Sequence, residues 1–343
     1  MHKKLKVLVL MGGKSPEHEI SLISGREVVA NLSPSKYEIL PLVISKKGDK
    51  WLLTSKEIIL KLTNVLDLKG TSKEISLSTY EVVSSLGDKI KESDVVFIAM
   101  HGVFGEDGTI QGMLETVGLK YTGSGVLASA LGVDKLVFRK LMQRVNVPIP
   151  KYVALSKGEK ITNLRTRLGD YPYFVKPHNQ GSSVGTSLVR KQKDLKSSLE
   201  RAFKYSNTVL IDEFVQGKEV TCGILGNNMP FALPLVEIHP LIGKYFDYDS
   251  KYKESGAEEL VPANITKKLT QKVKDLAIKV YNEIGCRGFA RVDFILKNNE
   301  TPVVLEINTI PGLTPTSLLP KAARAAGIKY TKLLDKIINY ATE

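Results

Sequence analysis

Between Ala290 and Gly312, four side chains that can do chemistry recur at strand spacing: Arg291, Asp293, Glu306 and Asn308. Two apolar runs flank a polar Lys297-Asn298-Asn299-Glu300 turn, the pattern of a β-hairpin. Side chains alternate between the faces of a strand. Arg291 and Asp293 therefore share one face of the first strand, and Glu306 and Asn308 share one face of the second. If the register sets these faces together, three oxygen donors and one guanidinium converge. Hard oxygen donors suit Mg²⁺, which keeps several waters and borrows further ligands from substrate phosphates. The competing reading is a hairpin with a polar solvent face and a surface ion pair.

Four further stretches carry chemistry-bearing residues. In Lys176-Pro-His-Asn-Gln-Gly-Ser182-Ser183-Val-Gly185, small residues let backbone N–H groups approach an anion, and the lysine adds a point charge. This is a candidate phosphate-gripping turn, against the alternative of a plain flexible hairpin. His101-Gly-Val-Phe-Gly-Glu106-Asp-Gly108 follows a buried-strand pattern, at the strand end where open α/β sheets bind ligands. His101 there either steadies a developing phosphate charge or makes structural hydrogen bonds. Glu17, after Gly12-Gly13, sits at the same edge, either as a ligand or as a carboxylate favoured by a helix dipole. After Asn308, Pro311-Gly312 forces a turn. Backbone N–H groups and the Ser317 hydroxyl could bind a carboxylate, and Ser317 could cap a helix over 318–326. Phe246-Asp-Tyr-Asp-Ser-Lys251-Tyr252-Lys253 lies in a long polar and aromatic loop, 244–261, which is either a lid or a surface insertion.

Two familiar nucleotide signatures are ruled out. Gly13-Lys14-Ser15 ends like a P-loop, but Leu8 stands where that motif needs its first glycine. Gly123-Ser-Gly125-Val-Leu-Ala128 matches a dinucleotide fingerprint by string, but Pro148 stands near where its acidic residue belongs.

The elements that must position these residues are those of an α/β protein. Apolar strands over 6–11, 37–45 and 94–100 alternate with a helix over 20–32, which points to a parallel sheet buried on both faces. Residues 46–90 read as hairpin, short helix and loop. A helix over 128–144 leads into Val147-Pro148-Ile149-Pro150, a natural boundary. Strands follow at 174–176, 186–189, 209–214 and 220–225, with helices over 193–204, 267–284 and from about Tyr330. At 343 residues, with 43% hydrophobic and 25% charged, the chain fits two or three soluble domains. No apolar run approaches the roughly 20 residues that span a bilayer. The apolar run after the N-terminal lysines is too short for a secretory signal of about 7–15 residues. Two cysteines make neither a disulfide framework nor a zinc site, so a cytoplasmic protein is expected. The net charge of +13 is scattered, with no basic run interleaved with aromatics, so neither nucleic acid nor membrane is an expected partner.

Taken in order along nearly the whole chain, these motifs resemble the D-alanine-D-alanine ligases of the ATP-grasp superfamily. The resemblance rests on Gly-Gly-Lys-Ser-Pro-Glu17-His-Glu-Ile-Ser, the His101 stretch, Tyr-Thr-Gly-Ser-Gly at 121–125, Asp134-Lys135, Lys176-Pro, Gly-Ser-Ser-Val-Gly, Glu219, Tyr248 to Tyr252, Arg291-Val-Asp293, and Glu306-Ile-Asn308 through Ser317. It implies a three-domain ATP-grasp fold: residues 1–123 as an N-terminal α/β domain, 124–214 as the central domain and 215–343 as the C-terminal one. It also implies ATP-dependent joining of two D-alanines through a D-alanyl phosphate for peptidoglycan precursors, by a cytoplasmic homodimer.

By the same resemblance, Lys135 and Lys176 would hold the α- and β-phosphates, with Ser182 and Ser183 beside them. Adenine would lie near Glu213, Phe214 and Val215, and Glu219 would take the ribose hydroxyls. Asp293, Glu306 and Asn308 would bind two Mg²⁺ ions, with Mn²⁺ an alternative. Arg291 would stabilise the tetrahedral oxyanion, and Lys251 would reach the transferred phosphate. Glu17 would bind the first D-alanine's ammonium, and His101 would lie near its activated carboxyl. Ser182 and Tyr252 would hydrogen-bond each other and Glu17. Gly312 and Ser317 would hold the second D-alanine's carboxylate. The Tyr252 lid pattern favours an amine over a hydroxyl acceptor.

Overall fold

The computed structural model describes residues 3–61, 75–78, 88–240 and 257–343. β1 (Leu5–Gly12), β2 (Tyr37–Ile44), β3 (Lys50–Leu53), β4 (Ile75–Ser78) and β5 (Val95–Ile98) form a sheet in the order β4-β3-β2-β1-β5. β1 is parallel to both β2 and β5. Val7 to Met11 and Val95 to Ile98 are buried whichever face they point to, as continuous apolar runs require. β3 and β4 extend the β2 edge antiparallel, so the sheet is mixed rather than wholly parallel. They and the helix Lys56–Lys61 give form to the hairpin and short helix expected within 46–90. Residues 62–74 and 79–87 lie outside the described residues.

β6 (Tyr152–Ser156), β7 (Tyr173–Pro177), β8 (Ser187–Val189) and β9 (Thr208–Glu213) make a second, antiparallel sheet in the order β6-β9-β7-β8. β10 (Gly217–Leu225), β11 (Phe231–Ala232), β12 (Val236–Pro240), β13 (Ala257–Leu260), β14 (Phe289–Lys297) and β15 (Thr301–Asn308) form the third. Its order is β13-β12-β10-β14-β15, with β11 beside β10. β13 corrects the expected uninterrupted loop over 244–261. Its residues alternate between half-buried and exposed on an edge strand, and backbone pairing with β12 organises them without an apolar signal.

The expected single helix over 128–144 is two helices, Val126–Val133 and Lys135–Arg144. Asp134 between them is extended, and its Oδ1 accepts from the backbone N–H of Leu136 and Val137 at 3.0 Å each. An aspartate that caps a new helix also ends the previous one. The consequence is functional, because Lys135 then stands at the first turn of the second helix.

The hydrophobic clusters cross these sheets. Phe138 and Met142 pack with Val220, Val273, Ala290 and Val292, behind the β14–β15 hairpin. The long helix Lys267–Ile284 covers the same back, presenting Leu269, Val273, Ala277, Val280, Tyr281 and Ile284 at helical spacing. The C-terminal helix Tyr330–Thr342 returns to the first sheet, where Leu333, Leu334, Ile337 and Ile338 join the cluster built on Val7 to Met11. Each such buried aliphatic side chain contributes about 1.5–3 kcal/mol, so this return is a substantial clamp.

Candidate active site

The hairpin sets the site. Asn298 and Asn299 both take left-handed backbone, the geometry of a tight hairpin turn. The resulting register pairs Arg291 with Asn308 and Asp293 with Glu306. A bulge follows at Asp293/Phe294. Ala290, Val292, Phe294 and Leu296 are fully buried on the back, which leaves the polar four on the front. Arg291 donates through Nε and Nη2 to the two oxygens of Asp293, each at 2.8 Å, and Thr221 Oγ1 donates to Asp293 Oδ1 at 2.6 Å. Asn308 Oδ1 accepts from the Ile310 N–H at 3.0 Å. Among the described residues no group of three His, Cys, Asp or Glu side chains could hold a metal ion.

Two cavities open from this front. One, of about 410 Å³, lies between the second and third sheets. Lys176, Glu213, Phe214, Val215, Glu219 and Asp293 line it, with Ser183 at the turn. The Phe174 and Phe214 rings stack with centroids 5.8 Å apart beside it. The other, of about 590 Å³, lies against the first sheet. Glu17, His101, Arg291, Asn308, Gly312 and Ser317 line it. Lys135, Gly181, Ser182 and Glu306 border both. Every sequence-predicted site residue within the described set thus borders one cavity or their junction. Lys251 and Tyr252 lie outside the described residues.

At the junction Lys135 Nζ lies 2.9 Å from Glu306 Oε2 and donates to the Gln180 carbonyl at 3.0 Å. Ser182 and Ser183 both have positive φ, a backbone that side-chain-bearing residues seldom adopt and that marks ligand clamps. The Ser182 hydroxyl donates to Glu17 Oε1 across 165 residues of sequence. Glu17 occupies the N-cap position of the helix His18–Asn31 but makes no side-chain cap, so its carboxylate is turned to the site. Gly102 makes this possible: a Cβ there would meet Glu17 Oε2 at 2.5 Å and Ser15 Oγ at 2.6 Å.

His101 is buried beneath the second cavity. Its Nδ1 lies 3.0 Å from the Ile310 carbonyl, which can only accept, so Nδ1 carries hydrogen. Its Nε2 lies 2.8 Å from Ser24 Oγ. Burial disfavours the imidazolium, but Glu106, 3.5 Å away, and the charge of Glu17 outweigh it, and the net shift is upward. Burial, reinforced by Glu17, also raises Glu106. Ser317 stands at the N-cap of the helix Leu318–Ala325, but its side chain makes no cap bond. Its Oγ instead accepts from the Thr314 N–H at 3.2 Å, which corrects the capping expectation for the side chain. That turn passes close to Gly312, where a Cβ would lie 2.8 Å from Ser317 Oγ.

The family model for the D-ala D-ala ligase N-terminus matches residues 6–124, and that for the D-ala D-ala ligase C-terminus matches residues 141–339. This chain belongs to the D-ala D-ala ligase family. The D-alanine--D-alanine ligase of Desulforudis audaxviator is 40% identical over 341 residues, covering 98% of this chain and 99% of that relative. Two solved structures are similar across nearly the whole chain. The VanG D-Ala:D-Ser ligase from Enterococcus faecalis has a TM-score of 0.82 at 31% identity, covering 99% of this chain and 100% of that one. The D-alanine--D-alanine ligase from Bacillus anthracis complexed with ATP has a TM-score of 0.76 at 31% identity, covering 98% and 97%. The fold is accordingly the ATP-grasp fold of the D-ala D-ala ligases.

Several residues at this ligase site carry no role in the sequence reading. Glu106 stands in the His101 stretch, and an acid five residues after a histidine at a strand end was the available signal. Asp212 sits beneath Lys176, with Nζ 2.9 Å from Oδ2, and its other partner is the fully buried Arg139. Burial would raise Asp212, but Arg139 and then Lys176 pull it below the ordinary carboxylate range. Lys176 is itself lowered, by burial first, with Arg139 and Lys135 adding, despite Asp212. The two directions pull apart because one carboxylate serves two cations. We take the trio as charged, since Asp212 is held by the bidentate guanidinium. Glu259 borders the second cavity and pairs with Lys321 at 2.5 Å. It lies on the edge strand β13, where no apolar pattern pointed.

Proposed function

We propose that this chain uses ATP to join two D-alanines into D-alanyl-D-alanine for peptidoglycan precursors, releasing ADP and phosphate. The observation that carries this reading is the meeting of two cavities at Lys135, Ser182 and Glu306, on the polar face of one hairpin. One cavity has aromatic and apolar walls and a lysine-bearing floor, suited to a nucleotide. The other offers a carboxylate, a guanidinium and a Gly-Ser turn, suited to two zwitterions. Residues 1–123, 124–214 and 215–343 serve as the three domains. The protein acts in the cytoplasm as a homodimer, and no described helix is long and apolar enough to cross a membrane.

In this reading adenine lies by Glu213, Phe214 and Val215, and Glu219 takes the ribose. Lys135 and Lys176 hold the phosphates, with Ser182, Ser183 and Lys251 around them. Asp293, Glu306 and Asn308 fit Mg²⁺ by donor chemistry: two carboxylates and an amide oxygen at adjacent register positions, both carboxylates now charge-matched by cations. These residues would hold two Mg²⁺, or Mn²⁺, whose charge neutralises the phosphates when bound. Glu17 orients the first D-alanine by its ammonium over the His101 floor, and its carboxylate oxygen attacks the γ-phosphorus. ADP leaves, and D-alanyl phosphate remains. Gly312 and Ser317 hold the second D-alanine's carboxylate; once its ammonium has given up a proton to solvent, the amine attacks the acyl carbon, and the departing phosphate takes up the second proton of the nitrogen. Arg291 stabilises the oxyanion of the tetrahedral intermediate, which expels phosphate as the C–N bond is kept. Tyr252 closes the lid with Ser182 and keeps water out.

The test is ADP release with D-alanine and Mg²⁺, with the dipeptide identified by mass. No turnover with D-alanine, or equal turnover with L-alanine, overturns the proposal. Similarity to a D-Ala:D-Ser ligase supports a second reading, in which D-serine is the acceptor. Competition among D-alanine, D-serine and D-lactate as acceptors decides between the two.

A further inference from the structure

Arg139 lies on the helix Lys135–Arg144, fully buried and remote from solvent, with its guanidinium carbon 5.1 Å from the Tyr152 ring centroid. Its Nη1 donates to Asp212 Oδ1, and its Nη2 to Oδ2 at 2.7 Å. This is the bidentate fork in which arginine holds a carboxylate most firmly. Asp212 Oδ2 also lies 2.9 Å from Lys176 Nζ, and Lys176 and Asp212 border the nucleotide cavity. Arg139 does not border it.

The charges are unequal: two cations share one carboxylate. Elsewhere around the junction Lys135 pairs with Glu306 and Arg291 with Asp293. A buried arginine that never meets ligand costs several kcal/mol of desolvation unless its position is used. Its partner, Asp212, is the carboxylate in direct contact with Lys176.

We infer that Arg139 is a positioning residue that occupies Asp212 so that Lys176 keeps an uncancelled positive charge for the phosphates of the nucleotide. The inference rests on the nucleotide reading of this cavity.

The experiment measures binding of ADP and of adenosine by calorimetry to the full chain and to Arg139→Met, Arg139→Lys and the double variant Arg139→Met/Asp212→Asn. In Arg139→Met, Asp212 pairs with Lys176 alone. ADP affinity then falls by at least about tenfold, as expected for a weakened charge-assisted bond, while adenosine affinity holds. Arg139→Lys retains most of the ADP affinity. The double variant removes one cation and one anion together, restores the unit excess, and recovers ADP affinity towards the wild type. Arg139→Met keeps the Asp212–Lys176 pair, whereas the double variant leaves Lys176 without its carboxylate; if either fails to fold, the charge-conserving Arg139→Lys still reports, and a loss of ADP affinity of about tenfold or more in it, with adenosine affinity unchanged, overturns the inference. Equal losses for ADP and adenosine, or a folded double variant with no more ADP affinity than Arg139→Met, or than background where Arg139→Met does not fold, overturn the inference. Absence of ADP binding to the wild type would instead overturn the nucleotide reading itself.

Discussion

Glu306→Gln separates a catalytic role for the hairpin face from a structural one. Glutamine keeps the shape of the side chain and can still accept from Lys135, but it removes the charge. At 2.9 Å the Lys135–Glu306 attraction is about 6 kcal/mol gross for an effective dielectric of about 20. The Glu306 side chain is 29% exposed, so screening and desolvation reduce the net to about 1 kcal/mol. In a chain this long, that moves the melting temperature by about 2–4 °C at most. Loss of a preorganised charge where phosphoryl transfer occurs costs far more, about 10²–10³-fold in turnover, or about 3–4 kcal/mol. The assay pairs D-alanine-dependent phosphate release with a thermal melt. A drop in kcat/KM of at least about 100-fold with a melt within about 4 °C of wild type is expected. A melt lowered by more than about 10 °C, or kcat/KM within about threefold of wild type, refutes the reasoning.

Ser182→Ala removes the hydroxyl that donates to Glu17. It should raise the KM for the first D-alanine by about tenfold or more in initial-rate kinetics, as for a lost hydrogen bond to a charged group. Gly312→Ala places a methyl 2.8 Å from Ser317 Oγ and should raise the KM for the second D-alanine with the ATP KM unchanged; equal changes in both would count against the Gly-Ser subsite. Burial opposes the His101 imidazolium, but the Glu106 carboxylate and the charge of Glu17 outweigh it and raise its pKa, so the protonated imidazole is favoured in the fold. That stabilisation is present at low pH and is lost as pH rises through the folded value. The melting difference between wild type and His101→Gln should therefore be larger near about pH 6 than near about pH 9, and the reverse order contradicts the assignment.

What was legible in the sequence was local and periodic. Apolar runs marked β1, most of β2 and β5, because a strand buried on both faces has no polar positions to blur it, and alternation marked the hairpin. The alternation of Arg291, Asp293, Glu306 and Asn308 placed them on one face before any register was known, and the register then paired them. What was not legible depended on partners distant in sequence. β13 is held by backbone bonds at an edge, and nothing in Ala-Glu-Glu-Leu announces that. The break at Asp134 was hidden inside an apolar helical pattern, although aspartate before Lys-Leu-Val was a usable cap signal. Asp212 and Arg139 read as one polar position in a strand and one in a helix. Their role exists only through a contact across 73 residues.

The geometry also constrains how the proposed reaction can proceed. Lys135 is held by Glu306, Lys176 by Asp212, and Arg291 by both oxygens of Asp293. Substrate binding in this site is thus an exchange of ionic partners rather than the capture of charge by bare cations. Lys135 turns to a phosphate more readily as Glu306 gains another counter-charge, and Arg291 to an oxyanion as Asp293 does. In the proposed reading both carboxylates belong to one metal-ligating set, so filling that set would loosen both cations together. Their separate tasks, on the phosphates and on the tetrahedral oxyanion, are in this way tied to a single event on the hairpin face. Among the described lysines of the site, Lys176 differs in that its counter-ion Asp212 is also held from behind by Arg139.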